Sequence, residues 1–91
     1  MTYTEQQRFT AWCLWLAGFS ATNIGKVLGL RRKQALGICQ RNPFGPRDKL
    51  SRQERETALQ QLRSARMGDD GKPIDRGLLN DFPWKTIDDQ I

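Results

Sequence analysis

The apolar positions of this chain fall into four windows of helical spacing separated by glycine and proline. Phe9, Trp12, Cys13, Leu14, Trp15 and Leu16 fill the first, which Thr4 and Gln7 open as a capping-box pair and Gly18 closes. Ser20 is a good N-cap for a short second helix carrying Ile24, Val27 and Leu28, and Gly29 suits the left-handed position that ends it. A third helix is predicted from Arg31 or Arg32 to Gln40 or Arg41. Asn42-Pro43-Phe44-Gly45-Pro46 stops it, because proline disfavours helix at its own position and at the one before. Ser51 with Glu54 makes a second capping box, and Ala58, Leu59, Leu62 and Ala65 draw one narrow apolar stripe, as expected of a helix lying on a surface. After Met67 the chain is turn-rich, and Leu78, Leu79, Phe82, Trp84 and Ile87 alternate with aspartates. That stretch reads as a short helix near residues 75–81 or as an extended tail.

The pattern predicts an all-α fold. A three-helix helix-turn-helix domain occupies residues 1–42, a Pro/Gly linker 43–50, an amphipathic helix 51–67 and an acidic-aromatic tail 68–91. Segment 19–41 carries the helix-turn-helix expectation. A capped short helix turns Ile24 and Leu28 inward, small Gly25 lets the next helix cross closely, Gly29 makes the tight turn and Leu30 plugs the corner. On a wheel of about 100° per residue, Ala35 and Cys39 lie together with Leu36 and Ile38 beside them, so that sector packs inward. Gly37 lies opposite, surrounded by Lys33, Gln34, Gln40 and Arg41. A glycine inside a helix costs up to about 1 kcal/mol relative to alanine. That cost is explicable where the backbone must approach base edges or a thymine methyl closely, so Gly37→Leu is expected to spare folding and damage DNA binding.

Charge sharpens this picture. The formal net charge of +5 divides into +5 over residues 1–41, +3 over 42–66 and −3 over 67–91. A basic front suits a polyanion, most simply nucleic acid, which the acidic tail would be repelled from. Lys33 and Gln34 are the candidates for base edges, Lys on guanine O6/N7 and Gln on adenine N6/N7. Lys26, Arg31, Arg32 and Arg41 are candidates for phosphates. Arg32 lies nearer the core sector, where pairing with Glu5 or capping of a carbonyl is its alternative.

Tyr3-Thr4-Glu5, Leu14-Trp15 with Gly18, Ser20-Ala21, Ile24, Leu28-Gly29, and then Arg32, Ala35, Gly37 and Arg41 together resemble the start of the GcrA cell-cycle regulator family. The resemblance covers residues 3–42. It implies a DNA-binding transcription regulator whose reading helix contains Arg32, Lys33, Gln34, Gly37 and Arg41. Members of that family read methylated adenine sites through this domain and touch the RNA polymerase sigma factor through a separate C-terminal region. Lys33-Gln34 stands here where the family has a small Asn-Ala pair, and nothing after residue 43 matches its C-terminal region. A compact regulator from a phage or other mobile element would suit the length.

The 91 residues make one small domain with hardly room for a cleft between lobes, which favours a binding module over an enzyme. The chain has no histidine, the commonest general base and metal ligand, and its glycines form neither a P-loop nor a dinucleotide fingerprint. Asp69, Asp70 and Asp75 are compatible with a divalent ion, but loop carboxylates beside glycines read as turns. No enzyme activity, cofactor or metal is therefore expected. Cys13 and Cys39 sit inside apolar helical patterns and are expected as buried, reduced thiols, which fits a cytoplasmic protein. The N-terminus lacks an apolar targeting region and no stretch approaches the roughly 18 apolar residues of a membrane span, so a soluble protein is expected.

A second function class stays open: an adaptor or inhibitor that binds RNA polymerase or another host factor, with Phe82 and Trp84 as aromatic anchors in the tail. Equally, those two aromatics could fold back to complete the core. Trp12 is expected under the fourth helix, or exposed for dimerisation. The stripe of residues 52–66 is a candidate homodimer face, since many helix-turn-helix proteins bind paired half-sites.

Overall fold

The computed structural model describes residues 3–69, 71–77, 79, 80, 84 and 86. Among the described residues the chain is all-helical: α1 (Glu5–Ala17), α2 (Ala21–Leu28), α3 (Arg32–Gln40) and α4 (Arg52–Ser64), with a single 3-10 turn at Arg47–Lys49. One isolated antiparallel bridge joins Met67 to Pro73, and no described residue belongs to a strand. Nor is any of the described helices long and apolar enough to cross a membrane.

The caps read from the sequence are in place. The Thr4 hydroxyl accepts the Gln7 N–H at 3.1 Å while the Gln7 amide oxygen accepts the Thr4 N–H at 2.9 Å. Ser51 and Glu54 make the same reciprocal pair at the start of α4, each bond 3.1 Å long. The Ser20 hydroxyl accepts from the Asn23 N–H at 3.2 Å to open α2. Gly18, at φ 113°, and Gly29, at φ 72°, close α1 and α2 in the left-handed conformation that only glycine adopts at no steric cost.

α1 is the central strut. It packs against α2, α3 and α4, and α2 packs against α3. Its buried residues Phe9, Ala11, Cys13, Leu14, Leu16 and Ala17 meet Ile24 of α2, Ala35, Ile38 and Cys39 of α3, and Ala58, Leu59 and Leu62 of α4 in one core. A helix that buries most of its circumference belongs inside a domain.

Two expectations, the free stripe on α4 and a helix near residues 75–81, need correction. The stripe of α4 is not a free face: Ala58, Leu59 and Leu62 are buried within the chain, and Ala65 lies exposed beyond the helix end. The surface predicted for self-association is therefore occupied by α1. Trp12 is half-buried, and its indole N–H donates at 2.9 Å to the Ile38 carbonyl of α3, which also accepts the Arg41 N–H at 3.2 Å. The stretch near 75–81 shows turns where it is described, not helix.

Two residues of the tail also join the core. Leu79 and Trp84 are buried, with Trp84 only 7 % exposed. An anchor for a partner must be accessible, so Trp84 serves the fold and not docking. Phe82 lies outside the described residues.

Candidate nucleic-acid interface

Gly25 decides how α2 meets α3. A Cβ built there would lie 2.6 Å from the Leu30 carbonyl oxygen, and the Leu30 N–H donates to the Gly25 carbonyl at 2.8 Å. Only a residue without a side chain lets the turn Gly29-Leu30-Arg31 fold this tightly across α2. The tightness brings the end of α2 beside the start of α3, so Lys26 in the last turn of α2 and Arg31, Arg32 and Lys33 at the start of α3 flank the same turn.

All four, and Arg41 after α3, are exposed. No described carboxylate pairs with any of them. Arg32 therefore does not take up its alternative pairing with Glu5, because α3 turns it outward. The position of the triplet is unusual: Arg31 is the N-cap residue of α3, Arg32 and Lys33 open the helix, and its first turn has no acidic residue. The helix macrodipole is positive at that end. Three cations there repel the dipole and one another, and no described carboxylate offsets the repulsion.

Gln34 occupies a different position from the one expected. It is half-buried, and its side-chain oxygen accepts the Arg31 N–H at 2.9 Å, a cap for the helix start. Bidentate recognition of adenine needs both ends of the amide. Because the acceptor end is already committed to the backbone, Gln34 is a structural residue here. The three-residue spacing to the N-cap, the same signal that marks Gln7 and Glu54, is visible in the sequence.

Gly37 is open. A Cβ added there meets nothing within 4 Å, and its φ lies outside the left-handed range. Lys33, Gly37 and Gln40 follow the i, i+4, i+7 spacing and so form one row along α3, with exposed side chains at its two ends and none in the middle.

Other cations of the chain are absorbed by the fold. At the C-terminal end of α1 the Arg47 guanidinium donates to the carbonyls of Trp15 at 3.0 Å and Phe19 at 2.8 Å and stacks 3.6 Å from the Trp15 ring centre. Buried Arg55 donates to the Leu16 carbonyl at 2.9 Å. These carbonyls lie at or just past the negative end of the α1 dipole, where a cation is favoured, and the Trp15 oxygen accepts the Gly18 N–H at 3.1 Å as well. Burial lowers the pKa of both arginines without discharging them.

Arg66 forms a two-pronged ion pair with fully buried Asp75, at 2.6 and 3.0 Å, donates to Asn80 at 2.6 Å and sits 5.9 Å from the Trp84 ring. Burial alone would raise the Asp75 pKa. The Arg66 hydrogen bonds and the Leu79 N–H at 2.7 Å outweigh it and hold the carboxyl below the usual range. Asp75 is thus a structural anion held by Arg66 and the Leu79 N–H. Asp69 is exposed, Asp70 lies outside the described residues, and no group of three or more potential ligands gathers among those described.

Both cysteines are buried and free, as expected. Burial pushes the Cys39 thiol up to about 12 against the opposing pull of Arg47, and pushes Cys13 higher still with help from Asp75. Neither is a thiolate at neutral pH.

No protein-family model, curated protein or solved structure matches the chain.

Proposed function

We propose that this chain is a helix-turn-helix regulator of transcription that binds double-stranded DNA with the exposed side of α3. The observation that carries the reading is the cation triplet at the start of that helix. Arg31, Arg32 and Lys33 crowd the positive end of a dipole with no acidic neighbour in the first turn, an arrangement that weakens the isolated protein. A polyanion reverses the sign of that interaction. Lys26 and Arg41 are exposed as well and supply two further cations for phosphate contacts.

Roles follow from position. Lys33 and Gln40, projecting from the row along α3, reach for base edges, while Lys26, Arg31, Arg32 and Arg41 meet phosphates. The resemblance of residues 3–42 to the GcrA family supports the same assignment. The rival reading, a protein-binding adaptor acting through the tail, loses Trp84 to the core.

A salt titration tests the proposal. Fluorescence anisotropy with duplex DNA is expected to give a log–log slope against salt of about −3 to −4, at roughly 0.9 per phosphate for three or four contacts. Absence of binding at low salt, or a slope near zero, overturns it.

A further inference from the structure

Resting on the DNA-binding reading above, we infer that Gly37 is a notch in the reading row of α3 that admits a thymine methyl from the floor of the major groove. A chain keeps a glycine inside a helix for a small number of reasons. A positive φ is one, and Gly37 does not have it, unlike Gly18, Gly29, Gly45, Gly71 and Gly77. Close approach of the chain's own backbone is another; that explains Gly25, where a Cβ would strike the Leu30 carbonyl, but a Cβ at Gly37 meets nothing. A break in the helix is a third, and α3 runs without interruption from Arg32 to Gln40. None of these reasons applies to Gly37 among the described residues, and the reason inferred for it is a bound ligand.

The surroundings define what comes there. The notch is flanked by the exposed side chains of Lys33 and Gln40 in its own row and lies on the cationic side of the molecule. Phosphates are reached by long side chains projecting outward, and need no gap in the helix surface. A gap serves a group that projects toward the helix between those side chains. In the major groove the thymine C5-methyl is the apolar group that does so, and the Cα and backbone of a glycine offer it contact at the shortest distance. Gly37 thereby acts as a specificity-determining position, while the surrounding cations supply affinity that is indifferent to sequence.

Adding one methyl to the protein and removing one from the DNA tests this directly. The probe is the duplex that the wild-type protein enriches from a random-sequence pool, with each selected thymine replaced in turn by uracil. At one position uracil is expected to weaken wild-type binding about fourfold, the worth of one buried methyl. Gly37→Ala is expected to raise Tm by about 4 °C through its higher helix propensity. It should bind the thymine duplex about tenfold more weakly than wild type and regain most of that loss on the uracil duplex. Its salt slope on random duplex should match wild type.

A Gly37→Ala variant that binds the thymine duplex normally, or loses equally on both duplexes, overturns the notch. So does a fall in Tm, which would make the glycine a requirement of the fold. Salt-dependent binding without enrichment of any sequence overturns the notch and leaves the DNA-binding reading standing, whereas absence of DNA binding overturns both.

Discussion

Two helix ends in this protein carry clusters of arginine, and they are opposites. At the C-terminus of α1, Arg47 and Arg55 reach backbone carbonyls at the negative end of the dipole and are drawn into the fold. At the N-terminus of α3, Arg31, Arg32 and Lys33 stand exposed at the positive end with no acidic residue in the first turn. The first cluster is explained by the chain itself. The second has no carboxylate partner among the described residues, and the proposed DNA reading supplies an anionic partner. Counting cations over residues 42–66 overstates the surface offered to a polyanion, because Arg47, Arg55 and Arg66 are spent internally and Arg52 pairs with Glu56 at 3.3 Å.

Substitutions that remove one charge at a time make this contrast measurable. The largest effect is expected from Asp75→Ala, which strands the guanidinium of Arg66 in a partly buried site and releases the Leu79 N–H. Urea denaturation should show a loss of about 3–5 kcal/mol, the usual consequence of breaking a buried pair. The same pair predicts the acid limb of the stability profile. Because the folded pKa of Asp75 is depressed, its contribution is complete above the unfolded carboxylate value of about 3.9 and declines as pH falls through the lower folded value. Asp75→Asn should flatten that limb of a Tm-against-pH curve.

Arg55→Ala comes next, with an expected loss of about 1–3 kcal/mol by thermal or urea denaturation, because the buried Leu16 carbonyl is left without a partner. Its folded form should keep the wild-type salt slope on DNA. Arg31→Ala is the smallest in stability, expected within about 0.5 kcal/mol of wild type, yet it should lower the magnitude of the salt slope by about 1. If Arg55→Ala changed the slope and Arg31→Ala did not, the division between structural and ligand-binding cations would be wrong.

Local signals account for the parts of the fold that are legible in the sequence. Thr4, Ser20 and Ser51 mark helix starts because a side-chain oxygen satisfies a backbone donor three residues away. Gly18 and Gly29 mark helix ends because of left-handed backbone, and the inward sector of α3 follows from the 3.6-residue period. The outward face of α3 can therefore be read almost residue by residue. Gln34 is the exception even though its capping spacing is in view, because the same amide is equally suited to a base edge and only its bond to Arg31 separates the two.

Residues whose role depends on distant partners are not legible in this way. Asp75 looks like one more turn aspartate, since nothing in residues 67–77 announces that Arg66 will close on it and that both will be covered. The stripe on α4 shows that one face is apolar but not which surface covers it, and Trp84 is anchor or core on composition alone. Helix boundaries, caps and facing are properties of a few neighbouring residues and follow from backbone hydrogen bonding. The fates of Asp75, Arg55, Trp84 and the α4 stripe depend instead on which segments meet, and burial is a property of the assembled chain. For the same reason the open space at Gly37, on which the specificity of this surface is proposed to rest, acquires its meaning only in the folded molecule, where none of the described residues fills it.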